Sequence, residues 1–332
     1  MKAIGYRTKG SADVLVDLNV AEPVAGARDL LVAVKAVSVN PVDYKVRTFE
    51  APPAGEAKIL GWDVAGVVVD VGPDVRMFRP GDEVFYAGAM DRPGANSELH
   101  VVDERIVGPK PHALSFEQAA ALPLTSITAW EILFERMRVD PFKPGTLLVI
   151  AAAGGVGSIL VQLARQLTRL TIVGAASRKE SADFAREMGV HHVIDHRRPF
   201  TEGMRKIGLR GADYVAALTT TPESLPWIID VLRPQGHVNF IDNPEIGLLP
   251  FKPKSLTISW EMMFTRSLFQ TDDVIEQHRL LKEVAALVDV GRIVTTLTRT
   301  GGPLTAANLA AAHRHLESGR SIGKTVLTAI PR

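Results

Sequence analysis

Four small residues set a phosphate-sized problem near the middle of the chain. The stretch Ala151-Ala-Ala-Gly-Gly-Val-Gly157 places Gly154, Gly155, Val156 and Gly157 directly after an apolar run. Residues 146–152 read as a buried strand, and the segment after Gly157 as the first turns of a helix. Glycines at such a junction let the backbone turn sharply, let a pyrophosphate approach it, and let the helix pack close to the sheet. The helix N-terminus then offers unpaired N–H groups and a partial positive charge. The spelling is A-x-x-G-x-x-G, through Ala151, Gly154 and Gly157, rather than the full G-x-G-x-x-G. A packed strand-turn-helix with no ligand is the alternative.

A second strand over Leu170–Ala176 begins about one helix length later, as a βαβ unit requires. An NAD site normally ends that strand with Asp or Glu on the ribose 2′-hydroxyl; this chain has Ser177-Arg178-Lys179. A hydroxyl and a guanidinium suit a 2′-phosphate, so NADPH is favoured over NADH. The duller alternative is a solvated helix start.

The elements that must position these groups fall into two regions. Up to about residue 120 the chain is strand-rich, with runs over Val14–Val20, Leu30–Ala36, Val64–Val71 and Glu83–Tyr86 bounded by Gly, Pro and Asp. From Ser115, an N-cap, helices and strands alternate, with strands expected at 146–152, 170–176, 191–195, 213–218, 236–241 and 255–260. That pattern predicts a doubly wound parallel sheet of the Rossmann kind. A helix within Leu304–Ser318 and a strand over Lys324–Thr328 close the chain and rejoin the first region. Ser255–Trp260 reads as the outer strand of the open sheet, and a bare apolar edge predicts a homodimer joined there.

With 332 residues, 46% hydrophobic, there is material for two cores. Thirty-eight basic against 37 acidic side chains give no reason to invoke nucleic acid or an anionic membrane. The absence of cysteine removes disulfides, thiolate zinc sites and a thiol nucleophile together. The nineteen-residue charge-free run 146–164 would pass for a membrane span, but its glycine turn makes it a nucleotide-fold core. The first residues lack the apolar core of a signal peptide, and a cytoplasmic protein is expected.

Taken in order, Ser38-Val-Asn-Pro-Val-Asp-Tyr-Lys45, Gly61-Trp-Asp-Val-Ala-Gly66, Phe78-Arg-Pro-Gly-Asp-Glu-Val84, Ala120-Ala-Leu-Pro-Leu-Thr-Ser-Ile-Thr-Ala-Trp130, the glycine turn and Gly323-Lys-Thr-Val-Leu327 resemble the medium-chain dehydrogenase/reductase superfamily, in its zinc-less quinone oxidoreductase-like branch. The resemblance implies a β-rich, GroES-like catalytic domain from residues 1–121 and 292–332, a Rossmann NADPH-binding domain over 122–291, and a small-molecule substrate. Where zinc alcohol dehydrogenases of this superfamily carry metal ligands, the chain shows Asn40, Trp62 and Thr125, with Asp63 for the motif's Glu; no metal is expected.

Without a Lewis acid to hold an alkoxide, hydride transfer to a quinone or an α,β-unsaturated carbonyl is the chemistry left, since its developing charge delocalises onto an oxygen that hydrogen bonds and a proton donor can serve. The matched motifs offer Asn40 for the substrate oxygen or nicotinamide ribose, Tyr44 as proton donor, and Thr125 and Thr128 near the nicotinamide. His196 follows the third strand, where an aromatic ring can stack on adenine, and Lys324 could reach the 2′-phosphate. A zinc-type alcohol dehydrogenase with an unrecognised metal site, or a non-catalytic NADPH-binding protein, are the alternatives.

Overall fold

The computed structural model describes residues 1–331, which form two compact units. The first unit gathers residues 1–127 and 264–332, and the second is the contiguous segment between them.

The first unit opens with β1 (Lys2–Tyr6), β2 (Val16–Asn19) and β3 (Asp29–Ser38), then α1 (Pro41–Phe49). Strands β4 (Lys58–Ile59), β5 (Val64–Val71), β6 (Glu83–Tyr86), β7 (Leu99–Asp103) and β8 (Val107–Pro109) follow, with α2 (Phe116–Ala120) and the start of α3 (Pro123–Trp130). Along β3, Leu30, Val32, Val34 and Ala36 alternate inward, the period-two signature of a sheet with one face on a core. Leu30, Val32 and Val34 pack with Val64, Val84 and Val102.

The second unit is built on β9 (Gly145–Ile150), α4 (Gly155–Leu167), β10 (Leu170–Ala175), α5 (Lys179–Glu187), β11 (His192–Ile194), α6 (Phe200–Lys206), β12 (Ala212–Ala217), α7 (Ser224–Val231), β13 (Leu232–Phe240) and β14 (Thr257–Trp260). All pairings are parallel, in the order β11-β10-β9-β12-β13-β14. The order reverses between β9 and β12, so the turn after β9 lies at the crevice where such sheets bind ligands. Leu148, Val173, Val215 and Val238 are fully buried, and the central β9 is accordingly an unbroken apolar run from Leu147 to Ile150 instead of an alternating one.

The chain then returns to the first unit with α8 (Thr265–Phe269), α9 (Glu276–Asp289), β15 (Leu297–Pro303), α10 (Ala306–Glu317) and β16 (Lys324–Thr328). Strand β16 inserts between β15 and β3, so the main sheet of this unit is made from both ends of the chain. Helix α9 belongs here rather than with the nucleotide fold because it lies on β8: His278 Nδ1–H donates to the Val107 carbonyl at 2.7 Å, and a Cβ on Gly108 would lie 2.5 Å from Leu281 Cβ. Among the described residues no helix is long and apolar enough to cross a membrane.

Candidate active site

The expected chemistry is carried by two groups of side chains, one in each unit. In the first unit, β3 hands over to α1 through Asn40, the N-cap, followed by Pro41, whose missing N–H suits the first helical position. The Asn40 N–H donates to Asp43 Oδ2 at 2.7 Å, and Asp43 Oδ1 accepts the N–H of Gly61 at 3.1 Å. Beside it, Asp63 Oδ2 accepts from Asn40 Nδ2 at 3.1 Å and from Lys324 Nζ at 3.0 Å, while Oδ1 takes the Leu124 N–H at 3.1 Å. Lys324 Nζ also donates to the Val39 carbonyl at 3.0 Å and to Asn40 Oδ1.

All four side chains are buried, so Asp63 meets the ammonium and Asp43 rests on backbone N–H groups in a water-excluded place. Burial pushes the Asp43 carboxyl up to about 7, against its two backbone N–H bonds. Burial raises Asp63 as well, with the Lys324 ammonium pulling the other way.

This cluster changes the parts expected of several residues. Lys324 spends its three protons on Asp63, Asn40 and Val39, which leaves none for a cofactor phosphate. Asn40 uses its Nδ2 on Asp63 and the Ser38 carbonyl and its Oδ1 on Lys324, so it holds the cluster instead of presenting an amide to a substrate. Thr125 is buried and donates its hydroxyl to the Leu122 carbonyl at 3.1 Å. Thr128, one turn further along α3, is also buried. Tyr44 is half-buried on α1, and burial together with the Glu317 carboxylate raises its phenol. Trp62 is fully buried, donating its indole N–H to Ala89 at 3.1 Å and meeting Phe264 edge-on.

These residues do not fit zinc. An amide, an indole N–H and a committed hydroxyl stand at the ligand positions, and an ammonium already occupies the side of Asp63 that a cation would need. Among the described residues no group of three or more His, Cys, Asp or Glu is placed to hold a metal ion.

In the second unit the turn after β9 departs from expectation in one respect. The left-handed conformation falls on Ala151, at φ 61°, and none of Gly154, Gly155 and Gly157 has a positive φ. Gly157 is required by proximity instead: a Cβ there would come within 2.3 Å of the Ala151 carbonyl oxygen and 2.8 Å of Ala152 Cα. Gly154 caps α4 without a side chain, and the first-turn N–H groups of Gly155, Val156 and Gly157 precede any intrahelical carbonyl that could take them.

At the end of β10, Ser177 Oγ lies 3.3 Å from His196 Nε2 in the turn after β11. Arg178 is the N-cap of α5. Burial, with Arg197 and Arg178, lowers the pKa of His196 against the opposing Asp195. A glycine turn that leads into a helix N-terminus, with polar side chains at the end of the second strand, fits a dinucleotide.

The comparisons agree with this fold. Residues 26–112 match the alcohol dehydrogenase GroES-like domain, and residues 188–327 the zinc-binding dehydrogenase family. A zinc-type alcohol dehydrogenase-like protein of Staphylococcus epidermidis is 36% identical over 98% of this chain and 99% of its own length. A 2-methylene-furan-3-one reductase of Solanum lycopersicum is 31% identical over 100% of this chain and 80% of its own. A crystal structure of a Rhizobium etli CFN 42 protein superposes with TM-score 0.97 at 49% identity, covering 100% of this chain and 99% of that one. Escherichia coli quinone oxidoreductase complexed with NADPH superposes with TM-score 0.85 at 25% identity over the full length of both.

Fold and site together define an oxidoreductase of nicotinamide chemistry. The chain belongs to the medium-chain dehydrogenase/reductase superfamily, in its quinone oxidoreductase-like branch.

Proposed function

We propose that this protein is an NADPH-dependent, metal-independent reductase of quinones or α,β-unsaturated carbonyls, working as a cytoplasmic homodimer. The observation that carries the reading is the Lys324 ammonium on Asp63, in a cluster that also ties up Asn40, one of the positions that match a metal ligand. The names of the tomato and Escherichia coli relatives support the substrate class and the cofactor.

Bound NADPH would supply the hydride. The second unit holds it through the N–H groups of Gly155, Val156 and Gly157 and through Ser177, Arg178 and His196. In the first unit, Asp63 and Lys324 fix Asn40, and Asp63 also takes the Leu124 N–H of α3; on that helix we assign Thr125 to the reaction and Thr128 to the cofactor. Tyr44 is the proton donor: its raised phenol keeps its proton at neutral pH and can release it only to a strongly basic enolate or quinol oxygen. Strand β14 is outermost in its sheet, with Trp260 and Met262 exposed beside it, and we assign the dimer contact there.

NADPH oxidation by the purified protein, followed with a panel of quinones and enones before and after chelator treatment, tests the reading. Turnover in both conditions is expected; no turnover with any acceptor overturns it. Light scattering reports the dimer, and a monomer mass at micromolar concentration counts against it.

A further inference from the structure

The Ser177–His196 contact carries a consequence beyond cofactor preference. Four groups face the His196 ring. Ser177 and Arg178 come from the turn after β10, and Asp195 and Arg197 belong to its own loop. Arg197 lies on Asp195 with two bonds of 3.0 and 2.8 Å; the carboxylate still favours a charged ring, and burial and Arg197 oppose it. The remaining cationic neighbour, Arg178, disfavours a second positive charge on the ring.

With the proton on Nδ1, Nε2 accepts the Ser177 O–H and has nothing to give an anion. A dianionic 2′-phosphate placed among these residues reverses the local sign. We propose that His196 is the specificity residue through which NADPH recognition takes up a proton: neutral in the free protein, it becomes an imidazolium when the 2′-phosphate docks beside Ser177 and Arg178. The proton comes from solvent and adds to Nε2, and no bond of the cofactor changes. Both ring nitrogens then donate, and the Ser177 hydroxyl is released to donate as well. NADH, lacking the phosphate, binds without this step. The inference rests on the NADPH reading above.

Calorimetric titration of the full chain with NADPH and with NADH, in buffers of different ionisation enthalpy, reads the proton count directly. Wild type is expected to take up a substantial fraction of a proton with NADPH and none with NADH, and His196→Asn, in the turn after β11, to lose that uptake. The 2′-phosphate itself titrates near about 6, so the pH dependence is read as wild type against His196→Asn. From about pH 6 to about pH 8 wild-type affinity should fall about tenfold further than that of the variant, a linked proton being worth at most about tenfold per unit. An NADPH preference with equal proton uptake in the two proteins overturns this inference alone. Equal affinity of wild type for NADPH and NADH overturns the cofactor reading and this inference with it.

Discussion

Lys324 Nζ stands 3.0 Å from Asp63 Oδ2, with both side chains sealed from solvent and joined from opposite ends of the first unit's sequence. Neither group is tolerable alone in such a place, since an unpaired buried charge costs more than the pair gains.

Lys324→Met should therefore destabilise the protein by about 3–5 kcal/mol, the range for breaking a buried pair from one side. Denaturant midpoints give the number. Adding Asp63→Asn to that variant should recover part of the loss, and a double variant less stable than the single one would show that the pair is not what holds this cluster.

Stability should also fall with rising pH through Asp43. Its folded pKa, at about 7, lies above its unfolded value, so the protonated carboxyl favours the folded state. The contribution is full below the unfolded pKa of about 4 and disappears as pH climbs through the folded one. Denaturation curves across that range should show the decline in wild type and a flatter profile in Asp43→Asn; identical profiles would remove Asp43 as the cause.

Arg178→Ala should weaken NADPH binding by about 1.5–3 kcal/mol, the size of a hydrogen bond to a charged group, while leaving NADH nearly untouched. Fluorescence titration of both cofactors decides it, and equal losses for the two would move the phosphate contact elsewhere.

Purified protein should hold far less than one zinc per chain, and simple alcohols with NADP⁺ should give no appreciable rate, because Asn40, Trp62 and Thr125 are no ligand set for a cation that would stabilise an alkoxide. Stoichiometric zinc whose removal stops turnover would refute both statements.

Much of this architecture was legible from pattern alone. Val64–Val71, Glu83–Tyr86 and Lys324–Thr328 are strands with the expected ends, because each is an apolar run cut off by residues that suit turns or extended loops. The six strands of the parallel sheet appear in their expected places for the same reason. Helix α1 was not legible, since it carries Asp43 and Arg47 on its buried side and so lacks an apolar stripe; Arg47 is held there by Gly10, His313 and Glu317. Strand β15, rich in Thr and Gly, owes its form to pairing with β16 rather than to its own composition. In the site, the glycine turn and Ser177-Arg178 are local signals that spacing exposes. The roles of Lys324 and Asn40 are decided by partners brought together only by folding, and no local spacing announces them. Asp43 did leave a trace: Asn40-Pro41-Val42-Asp43 has the spacing of a helix cap whose acid reaches back to the cap N–H.

The insertion of β16 between β15 and β3 sets an order for events at the ribosome. The nucleotide-binding half is one uninterrupted stretch and can complete its sheet as soon as β14 emerges. The other half must wait for β16 to be made, and until Lys324 arrives Asp63 has no counter-charge and must stay wet. Synthesis thus leaves the β-rich half open to solvent, and to chaperones, longest; a chain cut just before β16 should hold a folded parallel-sheet unit attached to an unfinished partner.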